Sequence, residues 1–514
     1  MALRERIKPK QPGDGSELKE TESKPKSAGL GADRPKILFL FFLYLIQGII
    51  LGICSSLPLI LKEYNVSYKG LATLSLIGWP FSVKLLWAPV VDAIYIPNIG
   101  RRKSWLVPTQ YLIGVLMLVI AWSVDDWLGE KKSKIGPNLM AITFTFFWLK
   151  VLVATQDIAV DGWALTMLSK RNVGYQSTCN TMGQRAGVFL GNAVFLALQS
   201  ANFCNRYIRS QPSDTGILTL SSLLFFWGCV FVVTTTFVLI FIHERNESGE
   251  LGSIEGVLGT YTQLLRIFKL RKIQEYAFLC ITVKVGFAAA EGISVLKLVE
   301  AGVPKENISL LQVPLQMFAL VLPLLIAKFT TPINSLDVML KSMPYRLMIG
   351  LIFMLIVWWA PSVRLNDGEF PYYFYTALFL SQTIHLITVT AMFSSFVTFH
   401  IKISDPLIGG TYLTLLSTVL NLGSQWPTTV ALYSLDFLTF TSCHGVTSDR
   451  RYNCLDVNDV NACLEIGGTC KTDIDGFYIE CIICTLIGFV WLRIMSAKIR
   501  HLQNVHVSKW RVSH

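Results

Sequence analysis

The chain has 514 residues, of which 52% are hydrophobic and only 15% charged, and its mean hydropathy is +0.49. Soluble domains carry about 25% charged residues, so this composition excludes a soluble enzyme, a nucleic-acid binder and a disordered chain. The formal net charge of +11 reads first as membrane topology, because Lys and Arg collect on the cytosolic side of membrane spans.

Residues 1–36 are polar and rich in Lys, Pro, Gly and Ser, the composition of a disordered cytosolic tail. They hold no apolar core followed by a cleavage site. The first apolar run, residues 37–60, is long enough to act as an uncleaved anchor. Apolar stretches recur at 71–94, 104–124, 139–168, 176–199 and 220–242. A polar linker, residues 244–274, precedes a second set at 275–298, 307–327, 345–361, 371–400, 408–435 and 477–496. At about 20 residues per span, the pattern predicts an all-α integral membrane protein of 12 transmembrane helices. They form two six-helix halves, residues 37–243 and 275–496, the second interrupted by a long polar loop at 436–476. Residues 497–514 form a short basic tail.

An even number of spans places both termini on one side, and the Gly100-Arg101-Arg102-Lys103 loop marks that side as cytosolic. A weak repeat runs through the halves. Pro80 and Pro89 recur as Pro314 and Pro323, and Leu190-Gly191-Asn192 as Asn421-Leu422-Gly423. Matching helix breaks point to transporter repeats, because freed backbone groups are tolerated only where protein or a cavity covers them. The competing reading is that Pro and Gly are simply common in membrane helices.

Cys443, Cys454, Cys463 and Cys470 lie in the 436–476 loop, on the oxidising luminal side. Two disulfides are predicted there, with three pairings open. Cys481 and Cys484 share a redox spacing but begin an apolar helix, where packing is the expected role. Glycosylation sequons stand at Asn65 and Asn307 on the luminal side. The loop has too few histidines and no paired short cysteine spacing for zinc. No metal, cofactor or nucleophile–base set is expected.

Charge inside a span is costly, and its default reading is functional. Lys84, Lys150, Arg185 and Lys284 lie deep in their spans, whereas Lys297 is close enough to the luminal end to snorkel. Deep cations without matched acids suit an anionic solute, so Arg185, Lys84, Lys284 and, more weakly, Lys150 are the candidate substrate contacts. Asp157 and Asp161 stand at i and i+4, with Lys150 two turns before Asp157, so all three share one helix face. They read as a network gating the cytosolic side, with direct substrate contact as the alternative. Glu291, two turns after Lys284, is either its structural partner or part of the coupling machinery. His385 is either a hydrogen-bonded interior residue or a proton relay.

The stretch from Trp79-Pro80-Phe81 through Lys84 to Asp92, followed by Gly100-Arg101-Arg102-Lys103, resembles the loop 2–3 signature of the major facilitator superfamily. With Ala154-Thr155-Gln156-Asp157-Ile158-Ala159-Val160-Asp161-Gly162-Trp163 and Asp405-Pro406-Leu407-Ile408-Gly409-Gly410-Thr411-Tyr412, the chain resembles the acetyl-coenzyme A transporters of the endoplasmic reticulum membrane. Bacterial muropeptide permeases are more distant cousins. The resemblance spans nearly all of residues 37–500. It implies alternating-access import of cytosolic acetyl-coenzyme A into the endoplasmic reticulum and Golgi lumen, where it supplies acetyl groups for luminal acetylation. By the superfamily pattern, Asp92 pairs with the start of span 11 at Gly409-Gly410, and Arg101 and Arg102 support that cytosolic latch. The implied partners are acetyl-coenzyme A as cargo and the bilayer, with a homodimer left open. Two rivals remain: transport of another organic anion (peptide-like or glutathione-like, proton coupling open), and a membrane-embedded acetyl-transfer enzyme acting through His385.

Overall fold

The computed structural model describes residues 30–64, 66–96, 98–129, 136–168, 172, 175–244, 254–327, 329–330, 333–365, 368–404, 409–444, 463–465 and 467–511. Asn65, Cys454 and the side chain of Asp92 lie outside this description.

The first six predicted spans are built from α1 (Leu30–Glu63), α2 (Tyr68–Ser75), α3 (Pro80–Val83), α4 (Ala88–Ala93), α5 (Lys103–Leu128), α6 (Leu139–Met167), α7 (Tyr175–Phe189), α8 (Phe195–Gln199), α9 (Ala201–Tyr207) and α10 (Leu220–Phe241). A helix, α11 (Ile254–Lys269), occupies the linker that reads from sequence only as polar. The later spans are α12 (Arg271–Thr282), α13 (Ala288–Glu300), α14 (Lys305–Ala327), α15 (Ser335–Val363), α16 (Tyr372–Ile403), α17 (Gly409–Leu438) and α18 (Gly476–Asn504). Between the last two, β1 (Phe440–His444) and β2 (Thr469–Ile474) pair antiparallel. Among the described residues eight helices are each long and apolar enough to cross a membrane, and a bent pair, Cys179–Gln199 with Ala201–Tyr207 at 82°, makes a ninth if it is one span. Large apolar side chains such as Trp122, Phe144, Val233 and Ile494 point outward, as a lipid-facing surface requires.

Proline divides the second span. Pro80 and Pro89 each stand in the first turn of a new helix, after 3-10 turns at Leu76–Gly78 and Lys84–Leu86. Proline has no N–H to donate and its ring strikes the carbonyl four residues back. The expected counterpart in the later spans is absent: Pro314 and Pro323 lie inside continuous α14, and Asn421-Leu422-Gly423 inside continuous α17. Leu190–Val194 does depart from α geometry, as a π turn between α7 and α8. The later spans break instead at Val285–Phe287, between α12 and α13. The predicted repeat of helix breaks is therefore corrected. A membrane helix can absorb a proline through neighbouring helices and local adjustment, and α14 does so.

Glycines set the closest helix approach. Gly48 and Gly52 of α1 face Gln184 and Val188 of α7 and Gly191 of the π turn, while Gly183 and Gly187 face back onto α1. A Cβ on Gly52 would stand 2.9 Å from Gly191 Cα. Small residues four apart give helix backbones this proximity in lipid.

Three boundaries differ from the sequence reading. The predicted tail ends sooner, because α1 begins at Leu30, with Asp33 in its first turn accepting from Asn172 Nδ2 at 2.7 Å. Helix α15 begins at Ser335, well before the predicted residue 345. The C-terminal segment is not a loose tail: α18 continues to Asn504, and Trp510 is fully buried, its carbonyl accepting from Tyr412 OH at 2.6 Å. Between the two sets of spans, α17 packs on α2 and α3, α14 on α8 and the π turn, and α13 on α1.

Candidate functional site

Two polar clusters occupy the interior. The first is centred on α6, where Asp157 and Asp161 lie one turn apart. Asp157 accepts from Lys84 Nζ at 2.6 Å, Gln47 Nε2 at 2.7 Å and Gln184 Nε2 at 3.3 Å. Asp161 accepts from Tyr44 OH at 2.6 Å, Asn180 Nδ2 at 3.1 Å and Gln176 Nε2 at 3.2 Å. Three separate stretches of chain thus converge on the two carboxylates of α6. Lys84 sits on the 3-10 turn that follows α3, so the proline break delivers it to Asp157. Lys84 is therefore a paired cation rather than a bare one.

Lys150 and Arg185 are different. Lys150 is buried, its Nζ 5.2 Å from the centre of the Phe81 ring. Arg185 is half-buried on α7. Among the described residues neither has a carboxylate partner. A cation over an aromatic face recovers only about 0.5–2 kcal/mol, less than the cost of a charge at membrane depth.

The second cluster joins α13, α15 and α16. Arg346 grips Glu291 with two bonds, Nε to Oε1 at 2.6 Å and Nη2 to Oε2 at 2.8 Å. Its guanidinium lies 4.4 Å from the centre of the Phe287 ring. His385 Nε2 stands 4.0 Å from Glu291 Oε1. Lys284, at the break between α12 and α13, donates to Ser424 Oγ of α17 at 2.9 Å. The partner of Glu291 is thus Arg346, which stands at the second residue of the predicted span 345–361 and is not among the deep charges named from the sequence. The missed signal is the stretch from Ser335 onward, which continues the helix for three turns before Arg346.

At the end of the bundle that carries the termini, Glu244 accepts the backbone N–H groups of Arg102 and Lys103, each at 3.0 Å. Lys103 Nζ donates to the carbonyls of Leu239 at 3.2 Å and Ile242 at 2.7 Å, at the end of α10. Gly100 has φ +110°, which L side chains rarely adopt, and the Arg102 side chain lies against Gly162. Arg101 is exposed. The expected Asp92 partnership with Gly409-Gly410 involves side chains outside the described residues.

The opposite end is tied between the two sets of spans. Glu300 accepts from Lys62 Nζ at 3.3 Å and from Tyr68 OH at 2.5 Å. Lys305 pairs with Glu63 at 2.6 Å, Glu306 accepts from Ser200 Oγ at 2.8 Å, and Arg206 pairs with Glu369 at 3.1 Å. Lys297 does not snorkel; it is buried and paired with Asp475 and Glu300. The same end holds the hairpin, where Cys443 is bonded to Cys463, and Cys470 is disulfide-bonded too. Cys481 and Cys484 are free and buried. Asn307 donates Nδ2 to Tyr375 OH at 2.8 Å, and Ser309 of its sequon is buried.

The family model for acetyl-coenzyme A transporter 1 matches residues 36–256 and 247–512. An uncharacterised protein of Schizosaccharomyces pombe is 35% identical over 481 residues, covering 93% of this chain and 88% of that protein. The anhydromuropeptide permease of Escherichia coli is 28% identical over 159 residues, which is 29% of this chain and 30% of the permease. In fold the chain is similar to the crystal structure of the nucleoside transporter NupG, with a TM-score of 0.57 and 12% sequence identity, covering 90% of this chain and 99% of that one.

Proposed function

The chain belongs to the acetyl-coenzyme A transporter 1 family, and from that premise we propose that it carries acetyl-coenzyme A from the cytosol into the lumen of the endoplasmic reticulum. Its fold is that of a major facilitator transporter. The observation that carries the substrate reading is the pair of interior cations without a carboxylate partner among the described residues, Lys150 and Arg185. A charge held at membrane depth without a partner needs a ligand of opposite sign, and the phosphates of coenzyme A supply it. Lys284, held by a neutral serine hydroxyl, keeps its charge available as a third contact.

In this reading residues 37–243 and 275–496 rock against each other around the central site. The termini are cytosolic, so the ties through Glu300, Lys305 and Arg206 close the luminal end. Asp157 and Asp161 hold α1, α6 and α7 in register while Arg101, Arg102 and Asp92 serve the cytosolic latch.

The test is uptake of labelled acetyl-coenzyme A into proteoliposomes. Arg185→Ala, folded and inserted, is expected to lower uptake by about tenfold or more, the scale of one charge-assisted contact to phosphate. Undiminished uptake removes Arg185 from the site. The stretch shared with the permease supports a second reading, a peptide-like anion; competition by such anions, with no effect of coenzyme A, favours it. Acetyl groups reaching the lumen without intact coenzyme A favour an acetyl-transfer enzyme instead.

A further inference from the structure

Beyond the cations, away from the termini, lies a cavity of about 200 Å³ between the two sets of spans. Its walls include Leu59 of α1, Val188 of α7, Asn192 of the π turn, Val295 of α13, and Gln312 and Gln316 of α14. No charged side chain lines it. Among the described residues Gln316 Oε1 is closed off from solvent with no hydrogen-bond partner. Asn192 donates Nδ2 to Ser55 Oγ at 2.7 Å, which leaves its Oδ1 to accept.

A buried amide oxygen without a donor costs free energy unless a ligand supplies one. The π turn supports the same conclusion, because it adds a residue to the helix turn and such turns recur at functional sites. Here it turns Asn192 and Ala193 to the cavity. The spacing is also informative. Arg185 precedes Asn192 by two turns on one helix, about 10 Å at 1.5 Å per residue. Arg185 and the neutral, amide-seeking cavity therefore lie along one helix.

Resting on the acetyl-coenzyme A reading, we infer that this cavity is the subsite for the neutral arm of the substrate, the segment that carries secondary amides and ends in the acyl thioester. Gln316 Oε1 accepts an arm N–H, and the apolar walls of Leu59, Val188 and Val295 cover the methylenes. The phosphates stay at Arg185 and Lys284. The substrate thus loads acyl end first, with that end against the tied side of the bundle.

The experiment uses the full chain in proteoliposomes. It measures KM for acetyl-coenzyme A and inhibition by adenosine bisphosphate, which has phosphates but no arm. Gln316→Leu keeps the size and removes the acceptor. It is expected to raise KM by about tenfold while leaving inhibition by adenosine bisphosphate unchanged. Val295→Phe, which fills the cavity from the other wall, is expected to do the same. An unchanged KM in both variants, or weakened inhibition in step with KM, overturns the subsite. Absence of acetyl-coenzyme A uptake by the wild-type protein overturns the substrate reading, and the subsite falls with it; uptake with unaffected variants overturns the subsite alone.

Discussion

Glu291 and Arg346 form the most fully engaged ion pair in the interior, two bonds wide with a phenyl ring on one face of the guanidinium. Such a pair gains little over apolar residues, but losing one partner strands the other, at about 3–5 kcal/mol. Arg346→Ala and Glu291→Ala are each expected to cost about that much, and the double substitution less than their sum, in a thermal unfolding cycle on detergent-solubilised protein. Equal and additive losses would show that the two groups do not depend on each other. At this scale the sequence revealed the depth of Lys84, Lys150, Arg185 and Lys284 but not their company. Lys84 belongs to Asp157 of another helix, and no local spacing encodes a pairing between residues so far apart. Arg346 was missed because the predicted span starts at residue 345, which puts it at the very end of the span, whereas the helix begins at Ser335 and carries it three turns deep.

Individual helices respond to proline and glycine according to what surrounds them. Pro80 and Pro89 interrupt their span and create the turn that carries Lys84, whereas Pro314 and Pro323 are absorbed by α14. Sequence identifies the proline, but the neighbours decide whether the helix breaks. Pro314→Ala is accordingly expected to leave folding intact, with a change in thermal midpoint of no more than a few degrees. Gly187→Val should behave oppositely. The added side chain would meet the α1 backbone around Leu45 and Ile49, and a rigid helix seam has no room to yield. Loss of the monodisperse peak in size-exclusion chromatography is the expected readout, and a normal elution profile would mean that α1 and α7 can separate without consequence. The amphipathic α11 was missed for another reason: averaged hydropathy merges its two faces into a polar segment, although Val257, Tyr261, Leu264, Leu265 and Phe268 recur at helical spacing, and it packs on α4 and α12.

Among the described residues, the ion pairs between the two sets of spans gather at one end, around Glu300, Lys305 and Arg206, with Glu306 hydrogen-bonded there to Ser200. Glu300 serves Lys62, Lys297 and Tyr68 at once. Glu300→Gln is expected to shift the population toward the form open at that end. A reporter Val295→Cys should then react severalfold faster with a membrane-impermeant maleimide applied from the side of that end than it does with Glu300 intact. An unchanged rate would mean that these ties do not hold the end shut. The all-helical, many-span architecture was legible from hydropathy because the bilayer imposes span length directly. Which helices meet across the middle was not, since apolar outer faces and apolar contact faces look alike in composition.

The glycine seam between α1 and α7 also constrains how the protein is made. Gly48 and Gly52 leave the ribosome long before Gly183 and Gly187; at about 5–20 residues per second the interval is roughly seven to twenty-seven seconds. Throughout that interval α1 sits in the bilayer without its closest neighbour. Gln47 likewise waits for Asp157. The newly inserted first helix therefore presents a small-residue groove and an unpaired amide until α6 and α7 arrive to cover them.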